Sequence, residues 1–137
     1  MKKNIEVVAA VIVYERKLLA FQRGAAKFDY VSYKFEFPGG KVEAGEDFRV
    51  ALNRELNEEL GLDEKVGDFV ATIDHDYPDF SIKMHCYIVA IDDFDETLHD
   101  HVAYAHVSLS DADGLDWIEA DRPILKMLRE NFSHVFS

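Results

Sequence analysis

Between Gly39 and Leu62 the chain reads GGKVEAGEDFRVALNRELNEELGL, a segment with few ways to fold. From Asp47 to Leu60 the spacing predicts a helix. Leu52, Leu56 and Leu60 recur at i, i+4 and i+8 and make one apolar, core-facing stripe. Gly61 follows as the stop signal. The same helix carries Glu55, Glu58 and Glu59 at i, i+3 and i+4, which gathers three carboxylates on a neighbouring face. Like charges at that spacing repel by a few tenths of a kcal/mol. A hard cation relieves the repulsion, and carboxylate oxygens suit Mg²⁺ or Mn²⁺. The helix is thus expected to bury one face and to hold a divalent metal on another.

The rest of the chain alternates short apolar runs with turn signals. Residues 5–14 and 17–22 predict a hairpin with a polar turn at Glu15–Arg16. Residues 24–34 read as an aromatic-rich loop, and Phe35 to Phe37 as a short strand running into Pro38-Gly39-Gly40. Residues 66–76 and 80–91 form a second expected hairpin around Pro78-Asp79, and residues 102–109 another strand. Asp121 to Phe132 predicts a last helix, with Pro123 in its first turn. Mixed strands with two helices give an α+β class, a sandwich of helices on a sheet.

Length and charge narrow the function. With 137 residues the chain, 1–137, is expected to be a single domain with a proper core. Its one cysteine, Cys86, lies in an apolar run and allows no intrachain disulfide framework, which fits a reducing, cytoplasmic compartment. MKKN before IEVVAAVIVY resembles a leader only superficially, because Glu6 interrupts the run and Glu15 and Arg16 end it. No stretch is long enough to span a bilayer, so no membrane is expected. A net charge of −12 opposes binding to long nucleic acids. It also repels a free polyphosphate unless metal and local basic residues reverse the field. Nothing in the pattern fixes the oligomeric state, and a homodimer stays open.

Residues 40–62 resemble the Nudix box, G-x5-E-x7-R-E-U-x-E-E-x-G-U with U a bulky aliphatic residue. Gly40, Glu46, Arg54, Glu55, Leu56, Glu58, Glu59, Gly61 and Leu62 fill every defined position. The resemblance implies a mixed sheet between helices, an α/β/α sandwich with the box as loop-helix-loop. It implies hydrolysis of a nucleoside diphosphate linked to another moiety. It also implies that Gly40 (through its carbonyl), Glu55, Glu58 and Glu59 hold Mg²⁺, with Mn²⁺ as an alternative. Arg54 supports the carboxylates, and Glu55 is the first candidate for general base. His99-Asp100-His101 stands where related pyrophosphohydrolases carry a His-Glu-His element, so Asp100 is a further candidate ligand or base. Arg23 and Lys41 are candidate phosphate contacts. Tyr33, Phe35, Phe37 and Phe80 are candidates for stacking on a base.

The segment EADRPIL resembles the base-reading element of the MutT-type subgroup. Guanine-preferring members commonly carry Asn at the position of Asp121. An ionised Asp is acceptor-only and suits a base that presents an amino group, such as cytosine. Together with IEVVAA near the start, this resembles the CTP pyrophosphohydrolase subgroup. The expected substrate is therefore CTP, dCTP or a modified cytidine triphosphate, cleaved to the monophosphate and pyrophosphate. The alternatives are an 8-oxo-dGTP diphosphatase or broad nucleotide-pool sanitiser, and, from another class, an inactive ligand-sensing domain of the same fold. Asp121 as a simple helix cap is the competing structural role.

Overall fold

A computed structural model describes residues 2–137. The strands are β1 (Lys3–Tyr14), β2 (Lys17–Arg23), β3 (Phe35–Glu36), β4 (Gly39–Lys41), β5 (Phe69–Asp76), β6 (Phe80–Ile91) and β7 (His101–Val107). The two α-helices are α1 (Phe48–Leu60) and α2 (Arg122–Asn131). Strand alternation explains the layering. Along β1, Val8, Ala10 and Ile12 point to one face and pack with Leu52, Leu56 and Leu60 of α1. The intervening Ala9, Val11 and Val13 point to the other face and pack with Ile124, Leu125 and Leu128 of α2. A strand buried on both faces reads as a continuous apolar run, which is why IEVVAAVIVY shows no polar alternation in its second half. The result is the expected α/β/α sandwich. Among the described residues no helix is long and apolar enough to cross a membrane.

The sheet is mixed. β1 runs parallel to β6 over its whole length, and β5 pairs antiparallel with β6. On its other edge β1 divides its partners. Ile12–Tyr14 pair with β2, whereas Val7–Ala9 pair with Lys41–Gly39 of β4. Ala10 bridges the change by donating its N–H to the Pro38 carbonyl at 2.8 Å. β2 meanwhile turns to pair with β3 and β7. A cleft of about 530 Å³ lies at this divergence, lined by residues of β1, the end of β2, β3, β4 and the segment before α2.

Both expected hairpins form. At Glu15 and Arg16 the backbone takes φ of 53° and 64°, as a two-residue turn of type I′ requires. α1 begins and ends as its sequence dictates. The Asp47 carboxylate accepts the N–H of Arg49 at 2.9 Å, and Gly61 closes the helix in the left-handed region at φ 66°.

Candidate active site

α1 delivers its carboxylates to one end of the cleft in three different environments. Glu58 is largely exposed. Glu55 is nearly covered and sits against the β4 backbone, where a Cβ on Gly40 would stand 2.5 Å from its Oε2. Glycine at that position lets the carboxylate touch the main chain. Glu59 is only 9% exposed, and its Oε2 is buried without a hydrogen-bond partner among the described residues. Burial pushes the Glu59 carboxyl up to about 8, with smaller contributions from Glu36, Glu55, Asp100 and Glu58.

Arg54 organises this end. Its Nε and Nη2 donate to the two oxygens of Glu46 at 2.9 and 3.0 Å, a bidentate pair. Its Nη1 donates to Glu55 Oε1 at 2.9 Å, and Nη2 also reaches the Lys41 carbonyl at 3.1 Å. The hydrogen bonds to Glu46, then Glu55, hold the guanidinium above its ordinary pKa, and Arg54 holds the Glu46 carboxyl below its own. Glu46 is the anchor of Arg54. Its backbone-facing Oε1 also accepts the Glu43 N–H at 3.0 Å.

The opposite end of the cleft is built around Asp121. Its carboxylate accepts the N–H of Phe37 at 2.8 Å and is 3% exposed. It does not cap α2: no first-turn N–H of that helix reaches its side chain. Residues 119–121 already form a 3-10 turn that runs into α2, so the helix has no free start at Asp121. Burial, then Glu36, pushes the Asp121 carboxyl well above the ordinary carboxylate range, against the Phe37 N–H and Arg23. Glu36 lies between the two ends. It accepts from Arg23 Nη1 at 3.0 Å and contacts His101 Nε2 at 2.8 Å.

The NUDIX domain family matches residues 4–131. The chain is a Nudix hydrolase. It is 41% identical over 126 residues to the CTP pyrophosphohydrolase of Escherichia coli K12, covering 90% of both chains. It is 34% identical over 88 residues to the 8-oxo-dGTP diphosphatase of Proteus vulgaris, which spans 64% of this chain and 78% of that one. The crystal structure of a MutT protein from Methanosarcina mazei Go1 superposes with a TM-score of 0.82 at 25% identity, over 96% and 97% of the two chains.

In this Nudix hydrolase the cleft brings together Arg23, Gly40, Lys41, Glu59, Asp100 and Asp121, while Glu55 and Glu58 flank it on α1. The carboxylates are not drawn into one tight group: among the described residues no three acidic or histidine side chains converge as a ready metal cage. Arg54 spans the gap, with Glu58 3.7 Å from its Nη1. Asp100 and Lys41 are exposed at the rim. Of the aromatic candidates only Phe37 and Phe80 line the cleft. Phe37 is 3% exposed and packs on Trp117, so its ring belongs to the core, and Tyr33 stands out in solvent. Two polar cleft residues escaped the sequence reading, Glu36 and Tyr77. The only sequence signals for them are the position of Glu36 just before Phe37-Pro38-Gly39-Gly40 and of Tyr77 just before Pro78.

Proposed function

We propose that this Nudix hydrolase is a Mg²⁺-dependent nucleoside triphosphate pyrophosphohydrolase. Its proposed substrates are CTP, dCTP or a modified cytidine triphosphate, and its products are the monophosphate and pyrophosphate. One observation carries the base assignment: the Asp121 carboxylate lines the cleft at the end away from α1, turned by the Phe37 N–H. An amino group set against that carboxylate is taken by an acceptor and favours its ionised form. The 41% identity to a CTP pyrophosphohydrolase supports the same substrate class.

The donor set at the other end suits a hard cation. Glu59 leaves a buried oxygen unpaired, Glu55 lies against Gly40, and Glu58 is largely exposed one turn along α1. These three carboxylates and the Gly40 carbonyl are the proposed Mg²⁺ or Mn²⁺ ligands, with Asp100 at the rim as a further one. When bound, the metal neutralises phosphate oxygens and acidifies the attacking water. Arg54 holds Glu55 through Oε1, and Glu55 is the proposed general base for the attacking water. Arg23 and Lys41 are the proposed cationic contacts to the phosphate chain.

The specific observation that favours a second substrate is the burial of Asp121, only 3% exposed, which pushes its carboxyl upward. A neutral Asp121 offers an O–H donor and accommodates the carbonyl of an oxidised guanine. The test is pyrophosphate release with Mg²⁺ from CTP, dCTP, 5-methyl-dCTP, UTP, ATP, dGTP and 8-oxo-dGTP. Preference for the cytidine nucleotides supports the first substrate class, and preference for 8-oxo-dGTP replaces it with the second. Turnover of none of them overturns both.

A further inference from the structure

Tyr77 directly follows β5 and is 4% exposed on the wall of the cleft. Its ring is held from several sides. Tyr30 stacks on it at 5.5 Å between centroids, Phe80 lies at 5.0 Å, and His75 meets it edge-on at 4.4 Å. The hydroxyl is therefore fixed in place. Its oxygen accepts the N–H of Ala120 at 3.0 Å, which sets it beside Asp121 in the chain and within its field. A phenolic oxygen that accepts a hydrogen bond still has its own proton to donate. Among the described residues no side chain or carbonyl takes that proton. Burial pushes the Tyr77 hydroxyl up to about 12, so it is an O–H donor throughout the neutral range. A buried donor left without a partner is costly, and the cleft supplies the space in which a ligand can satisfy it.

We infer that Tyr77 is a second base-reading residue, whose hydroxyl donates to the ring-nitrogen acceptor that lies beside the amino group taken by Asp121. This inference rests on the cytosine reading of the cleft. Cytosine presents its 4-amino group next to N3, a donor next to an acceptor. Uracil presents the reverse, a carbonyl next to an N–H, and meets two conflicts. Guanine sets an N–H beside its amino group on the pairing edge. Adenine carries the same pair as cytosine, so Tyr77 and Asp121 discriminate against uracil and against the pairing edge of guanine.

The experiment compares kcat/KM for CTP and for 3-deazacytidine triphosphate, in which N3 is replaced by C–H, in the wild type and in Tyr77→Phe. The wild type is expected to prefer CTP by about tenfold or more, and Tyr77→Phe to bring the two within about twofold by weakening CTP alone. A tyrosine that only propped up Ala120 would lower both substrates equally. Equal turnover of the two by the wild type overturns the inference without any variant, and so does a preference that survives in Tyr77→Phe. The CTP-to-UTP ratio of the wild type and of Asp121→Ala separates the two levels of argument. No cytidine preference in the wild type removes the cytosine reading and Tyr77 with it. A cytidine preference that Asp121→Ala abolishes, beside equal turnover of the deaza analogue, removes Tyr77 alone.

Discussion

The carboxylate of Glu55 rests against the backbone of Gly40, so closely that a Cβ there would stand 2.5 Å from Oε2 and 2.6 Å from Oε1. Glu55 cannot retreat without losing its hydrogen bond from Arg54. Gly40→Ala is therefore expected to displace the carboxylate while leaving β4 paired with β1. A displacement of about 1 Å at a reacting group costs about 100-fold in rate. Steady-state kinetics with far-ultraviolet circular dichroism checks this. A folded Gly40→Ala protein with near-normal kcat would show that Glu55 plays no part in turnover.

Arg54 offers a different lever, because its planar fork does three jobs at once. It pairs Glu46 through two bonds, holds Glu55 through a third and reaches the Lys41 carbonyl with a fourth. Lysine keeps the charge and loses the fork. Arg54→Lys is expected to lower kcat by roughly 10- to 100-fold, since Glu55 is no longer held. The KM for nucleotide should move far less, because Arg54 does not line the cleft. A change confined to KM would relocate Arg54 to substrate binding.

Much of this was legible in the sequence, and the division has a physical basis. α1 could be read residue by residue because its signals are local: three leucines repeat at four-residue spacing, and Gly61 ends it. The Glu15–Arg16 turn was equally local. Non-local pairing left no such trace. Nothing in residues 5–14 states that β1 lies parallel to β6 and divides its other edge between β2 and β4, yet that division opens the cleft. Glu36 and Tyr77 were missed for the same reason, since each is a single residue brought to the cleft by strand pairing. Asp121 was found, but its bond to Phe37, 84 positions away, was not.

As a proposed metal ligand, Glu59 should tie metal binding to pH. Its folded-state carboxyl lies near 8 against an ordinary value of 4.5. A raised pKa means the folded protein holds a proton that the unfolded chain releases, so the Glu59 contribution to metal-free stability is fully present below about pH 4.5 and is lost as pH rises through about 8. A cation favours the ionised form and expels the proton. Titration of Mg²⁺ by calorimetry, in buffers of different ionisation enthalpy, should detect release of about one proton near neutral pH. Affinity should rise with pH up to about 8. Glu59→Gln should abolish the release and flatten the pH dependence of metal-free stability. Proton-neutral Mg²⁺ binding by the wild type would exclude Glu59 as a ligand.

Asp121→Asn probes the base directly, and the bond to Phe37 dictates how. The Phe37 N–H demands an acceptor, and in the wild type the Asp121 carboxylate supplies it at 2.8 Å. An asparagine at 121 can meet that demand only with its carbonyl oxygen, which turns its NH₂ group toward the cleft. The acceptor that the carboxylate offered there becomes a donor. Preference should then pass from a base that presents an amino group to one that presents a carbonyl. The ratio of kcat/KM for CTP to that for UTP or dGTP is expected to fall by about 10- to 100-fold or more, the scale of one polar contact converted from match to conflict. The wild type adds a second readout. Neutral Asp121 offers a donor and ionised Asp121 an acceptor, so its CTP preference should strengthen as pH rises, whereas that of Asp121→Asn should not change with pH. Competition assays with paired nucleotides, at two pH values low enough for uracil and guanine to keep their ring N–H protons, measure both effects on the same preparation. An Asp121→Asn protein with the wild-type ranking at both pH values would leave Asp121 as a brace for Phe37 alone.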